Sequence, residues 1–147
     1  MKSVLVIGLG NPMMGDEGVG GHVADRLSAD PRLPDNVEVA CGGTDLLRHA
    51  DRMERARRVI VIDALEEKAA PGTVTVFGDT PDVLENRQEG AHTLSAVQAI
   101  QLLRMTLAAP ITLIGISIAR AGLGHGLSPA LAARIPAIVD RVLKELR

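Results

Sequence analysis

Apolar runs with two different periods alternate along this chain, and each period predicts a different element. Residues 3–8 (SVLVIG) are almost continuously apolar and rich in β-branched side chains, the pattern of a strand covered on both faces and so central in its sheet. Beyond a glycine-rich turn, Val19, Val23, Ala24 and Leu27 recur at helical spacing, which predicts a helix over 17–28 capped by Asp16. Residues 36–40 (NVEVA) alternate as a short strand, and 44–53 (TDLLRHADRM) form a helix started by Thr44 or Asp45. Residues 58–64 (RVIVIDA) are again an apolar strand, with Asp63 at its carboxyl end. The alternation over 72–78 (GTVTVFG), after Pro71 and Gly72, predicts an outer strand. A polar loop covers 79–91, and an amphipathic helix follows over 93–107 with His92 immediately before it. Residues 111–118 (ITLIGISI) make the last buried strand. A closing helix over 128–146 has Ser128 as cap, Pro129 at its first position and a kink or break at Pro136.

The order β α β α β β α β α predicts a three-layer α/β/α domain on a largely parallel sheet. Residues 1–147 read as one domain, since no stretch has the composition of a linker, repeat or low-complexity tract. In open sheets of this kind, functional groups collect in the crevice outside the carboxyl ends of the strands. Asp16 and Glu17 land there from the first strand, Asp63 from the third, and His92 from the start of its helix. Two carboxylates and an imidazole suit a borderline divalent metal such as zinc or nickel. The turn GLGNPMMGDEGVG (8–20) has the glycine content of a phosphate cradle. An anion beside Glu17 would nevertheless meet repulsion on the order of 1 kcal/mol or more at short range, so a cation is the better occupant. Each residue also has an ordinary structural reading: Asp16 as a cap, Glu17 as a complement to the helix dipole, Asp63 as the cap of a turn, and His92 as a solvated or hydrogen-bonded side chain.

Composition narrows the partners. A net charge of -2 removes the electrostatic case for nucleic-acid or membrane-surface binding. With no Trp, no Tyr and one Phe, there is almost no aromatic surface on which bases could stack. The opening apolar run has no cleavage region, and Gly8, Gly10 and Pro12 end it far below spanning length. Cys41 is the sole cysteine, so internal disulfides and CxxC metal sites are excluded and a cytoplasmic setting is expected.

The turn at 8–20, "GGT" at 42–44, "VIDA" at 61–64, a lone His92 opening the long helix and "GLSPAL" before the last one together resemble the hydrogenase maturation endopeptidases, over essentially the whole chain. The resemblance implies a phosphorylase/hydrolase-like fold, a five-stranded, mostly parallel, twisted sheet with one antiparallel strand and helices on both faces. It implies a hydrolase of the aspartic-type endopeptidase class that removes the C-terminal extension of a nickel–iron hydrogenase large-subunit precursor after nickel insertion. Glu17, Asp63 and His92 match the family's metal-binding positions. Together with Asp16 they are the candidate catalytic set, and the nickel is expected to arrive with the precursor. A monomer is expected. No G-x-S-x-G elbow or HExxH pair is present. The three residues are therefore expected to complete the coordination of nickel held by precursor cysteines, with Asp16 either a cap or a proton acceptor.

Cys41 is a departure, standing where the family commonly has Asp before "GGT". Its thiol is either an inert buried side chain or a soft ligand near the site. His125 reads as a surface-loop residue, and His22 and His49 as solvated or packed within helices. Three rivals are weaker or open. Peptidyl-tRNA hydrolase shares "GLGNP", but its threonine-arginine-histidine-asparagine continuation is absent here. A dinucleotide-binding turn would need glycine where Met13 stands. A metal-sensing chaperone that binds the precursor without cleaving it is the non-enzymatic reading.

Overall fold

The computed structural model describes residues 3–78, 91–119, 124 and 126–147, and of 91–95 the backbone alone. Five strands, β1 (Val4–Leu9), β2 (Val37–Gly43), β3 (Arg58–Glu66), β4 (Val74–Phe77) and β5 (Ile111–Ile118), form one sheet in the order β2-β1-β3-β5-β4. All neighbours are parallel except the edge strand β4, which pairs antiparallel with β5. This agrees with the expected mostly parallel sheet and its outer strand.

The apolar runs become the central strands because both of their faces are covered. β5 is buried at all 8 positions. Successive side chains point to opposite faces, so Leu5, Ile7, Val59 and Val61 meet Met53 of α2 (Ala50–Glu54) and Val97 and Ile100 of α3 (Ala91–Arg104). On the other face, Val6, Ile60 and Ile62 pack against Val23 and Leu27 of α1 (Val19–Ser28), together with Ile138 and Val142 of α5 (Ile135–Glu145). Each fully buried aliphatic side chain contributes roughly 1.5–3 kcal/mol, so two dense aliphatic layers hold the domain with little aromatic help. No helix among the described residues is long and apolar enough to cross a membrane.

Several element ends differ from expectation. The helix expected over 17–28 begins with a 3₁₀ turn, Gly15–Gly18, and becomes α-helical only at Val19. The helix expected over 44–53 divides into a 3₁₀ turn, Leu46–His49, and the short α2; Asp45 starts it by accepting the Leu47 amide at 3.1 Å. β3 runs to Glu66 rather than 64, because Ala64, Leu65 and Glu66 pair with Ile116, Ser117 and Ile118. Helix α3 is described from Ala91, so His92 lies within the helix rather than before it. The loop expected over 79–91 otherwise lies outside the described residues. The closing helix is interrupted: α4 (Pro129–Ala132) stops and α5 restarts at Ile135. Pro136 sits in the first turn of α5, where its missing N–H leaves no intrahelical bond unmade.

Candidate functional site

The chain leaves β1 for β2 through α1 on one face and reaches β3 through α2 on the other. Strand order therefore reverses between β1 and β3, which opens a crevice at their carboxyl ends. Glycines let the following turn settle directly on those strands. A Cβ on Gly20 would lie 2.1 Å from the Leu9 carbonyl oxygen and 2.4 Å from that of Ile62, so no larger residue fits. This close approach holds the Gly15–Gly18 turn, and with it Glu17, against β3.

Asp63 follows Ile62 on that strand and is 1% exposed. It shares a strand face with Val61 and Leu65, the face covered by α3. A carboxylate at this depth is costly without polar partners or a cation; one such partner is the Ala64 amide, which donates to Oδ1 at 2.8 Å. His92 enters from the third direction. Helix α3 runs back across the sheet to feed β5 and packs on β3 and the Leu46–His49 turn, so its first turn is at the same edge. The His92 side chain lies outside the described residues. Among the described residues, no three His, Cys, Asp or Glu side chains gather closely enough to hold an ion. The structure thus brings the Glu17 turn, Asp63 and the start of α3 to one edge of the sheet.

Asp16 does not cap α1, contrary to expectation: neither the 3₁₀ turn nor α1 has a side-chain cap. Asp16 lies inside the 3₁₀ turn instead of preceding a helix, and its carboxylate turns to a different chain end. Ser128 donates to it twice, from the backbone N–H to Oδ1 at 2.7 Å and from the hydroxyl to Oδ2 at 2.8 Å. Ser128 also caps α4, as expected, its Oγ accepting the Leu131 amide at 3.4 Å. The pairing of Ser128 with Asp16 has no local signal in the sequence.

Between α1 and the ends of β1 and β2 lies a cavity of about 370 Å³, lined by Gly8, Gly10, His22, Asp25 and Cys41 among others. Cys41 is exposed, so the buried-thiol reading is corrected. It lies near the end of β2, which is an edge strand among the described residues. Its thiol is 3.8 Å from Asp25 Oδ1, and partial burial followed by the Asp25 charge pushes its pKa up. The Nε2 of His22 is buried with no hydrogen-bond partner among the described residues. His49 is packed, with Nε2 3.3 Å from the Gly42 carbonyl oxygen, and His125 lies outside the described residues.

Comparison with known proteins gives a consistent result. The model of the HycI family of hydrogenase maturation proteases matches residues 21–145. The chain is 32% identical over 149 aligned residues to the hydrogenase 2 maturation protease of Escherichia coli (strain K12), spanning 98% of this chain and 90% of that protein. It is 31% identical to the hydrogenase expression/formation protein HupD of Rhodobacter capsulatus, spanning 99% and 72%. Among solved structures, it resembles the hydrogenase maturating endopeptidase HybD from E. coli, with a TM-score of 0.82, 30% identity, and coverage of 99% and 92%. The [NiFe] hydrogenase maturation protease HybD from Thermococcus kodakarensis is similar too, with a TM-score of 0.79, 29% identity and 99% coverage of both chains.

Proposed function

The chain belongs to the hydrogenase maturation protease family, and on that footing we propose that it removes the C-terminal extension of a nickel–iron hydrogenase large-subunit precursor once nickel is in place. The observation that carries this reading is the deeply buried Asp63 carboxylate at the switch point of the sheet, with the Glu17 turn lying on the same strand. Glu17, Asp63 and His92 supply two carboxylates and an imidazole, donors that suit a borderline divalent ion. In this reading the nickel belongs to the substrate. It is already held by precursor cysteines, and the three side chains complete its coordination and so hold the adjoining peptide against the crevice. Burial at Asp63 lowers the local dielectric, which strengthens its attraction for a cation relative to a surface carboxylate. A precursor without nickel lacks this handle and goes unrecognised. The protein acts as a monomer in the cytoplasm, a setting that suits the free thiol of Cys41.

The test is intact-mass measurement after incubation with nickel-loaded precursor, with metal-free precursor as control. Loss of a C-terminal peptide from the loaded form alone is expected. An unchanged mass with a stable complex would replace the protease reading by the chaperone reading. Glu17→Gln, Asp63→Asn and His92→Ala should each leave a folded protein. Loss of an outer partner of a metal ligand already costs about 10–100-fold, so each variant should process loaded precursor at least about 100-fold more slowly. Normal processing by all three would remove the ligand assignment.

A further inference from the structure

The turn that carries Glu17 is rich in glycine, and its local bonds are the Met13 and Met14 amides on Asn11 and the Glu17 amide on the Met14 carbonyl. Gly10, Gly15 and Gly18 bring no side chains, and Gly15 adopts a left-handed φ of 59° that other residues resist. On one side the turn rests against the residue that follows β1: a Cβ on Gly10 would lie 2.4 Å from the Glu17 carbonyl oxygen and 2.8 Å from the Gly18 Cα. On the other side it is held by a segment far away in sequence. The Gly15 amide donates to the Gly124 carbonyl at 2.9 Å, and the Gly124 amide donates to the Met13 carbonyl at 3.0 Å. The two Ser128 bonds to Asp16 add to these.

From this geometry we infer that Asp16 and Ser128 form a latch that sets the position of Glu17, which makes both of them positioning residues; the inference rests on the metal-recognition reading given above. Both oxygens of Asp16 are held by donors on a single residue, so the carboxylate is fixed in plane as well as in place. Bonds to an ionised acceptor are the strong kind. The backbone of residue 16 is thereby fixed, and Glu17 departs from it directly. Asp16 thus takes on a third role, beside the helix cap that the structure does not form and the proton acceptor: its carboxylate holds the turn.

Three substitutions at Ser128 separate the latch from the helix cap. Ser128→Ala removes the hydroxyl that serves both. Ser128→Asp keeps a good cap for α4 but sets a second carboxylate against Asp16. Ser128→Thr keeps both functions. Hydrogen exchange at the amides of residues 13–17 should accelerate about tenfold or more in the Ala and Asp variants and stay at the wild-type rate in the Thr variant, with β1 amides unchanged. In cleavage of nickel-loaded precursor, the Ala and Asp variants should raise KM about tenfold, and Thr should restore it. Displacement of a positioned group by about 1 Å can cost about 100-fold. A purely structural role would instead reduce the folded fraction, lowering apparent kcat at constant KM. Unchanged exchange in Ser128→Asp, or unchanged KM despite faster exchange, would overturn the latch. If the wild-type protein fails to cleave loaded precursor, the protease reading falls instead, and the exchange rates alone then decide whether the latch exists.

Discussion

At Cys41 the surroundings work against reactivity. Partial burial and then the Asp25 carboxylate raise the thiol pKa above its ordinary value of 9.0, so the thiolate is scarce at neutral pH despite the exposed position. Alkylation by iodoacetamide at about pH 7.5 should therefore be slower than for a free cysteine. Asp25→Asn should speed it by removing the neighbouring charge, yet leave it below the free rate, because burial remains. Equal rates in the two proteins would remove Asp25 as a cause. Asp30 shows the opposite sign. The Arg32 guanidinium, which donates to both carboxylate oxygens and also reaches Asp140, holds the Asp30 carboxyl down from 3.8 to about 2. A depressed carboxyl contributes stability above its unfolded pKa and loses it as pH falls through the folded one. The melting temperature of Asp30→Asn should thus fall below wild type at about pH 6, and the two should converge between pH 3.8 and about 2. Added salt should shrink the difference at the higher pH, since the pair is exposed.

The start of α1 offers a sharper contrast, because adjacent glycines meet opposite surroundings. Gly20→Ala would drive a methyl into backbone oxygens of two strands that cannot yield, at a cost of at least about 1–3 kcal/mol. A Cβ on Gly21 would meet nothing within 4 Å, so Gly21→Ala should gain roughly 0.5–1 kcal/mol from helix propensity alone. Thermal melts decide this, at roughly 2–4 °C per kcal/mol for a domain near this size; a wild-type melting temperature for Gly20→Ala would refute the close approach. Elements of this kind are legible from sequence to the extent that local pattern and final environment agree. β5 is, over its full length, because eight residues of nearly unbroken apolar character end up covered on both faces. The two extra residues of β3 are not, since they are drawn into the sheet by β5. The 3₁₀ turn at Gly15–Gly18 is not either: its shape depends on bonds to Gly124, which no local pattern announces.

For the molecule as a whole, topology makes legible the sheet edge at which the candidate residues lie. Once alternating elements imply a parallel sheet, strand ends must share an edge, and Glu17, Asp63 and His92 are each tied to one such end. What escapes reading depends on contacts between distant segments. Asp16 has the local pattern of a cap, and only Ser128, 112 residues away, gives its carboxylate another partner. Cys41 has the pattern of a buried thiol, yet it lines the cavity beside α1 and is exposed. That long separation also orders events during synthesis. A ribosome that has made Glu17, Asp63 and His92 has yet to make the residue that straps the first of them in place. A nascent chain short of residue 128 therefore lacks both bonds that tie Asp16 to the start of α4, and the Gly15–Gly18 turn gains them only late in synthesis.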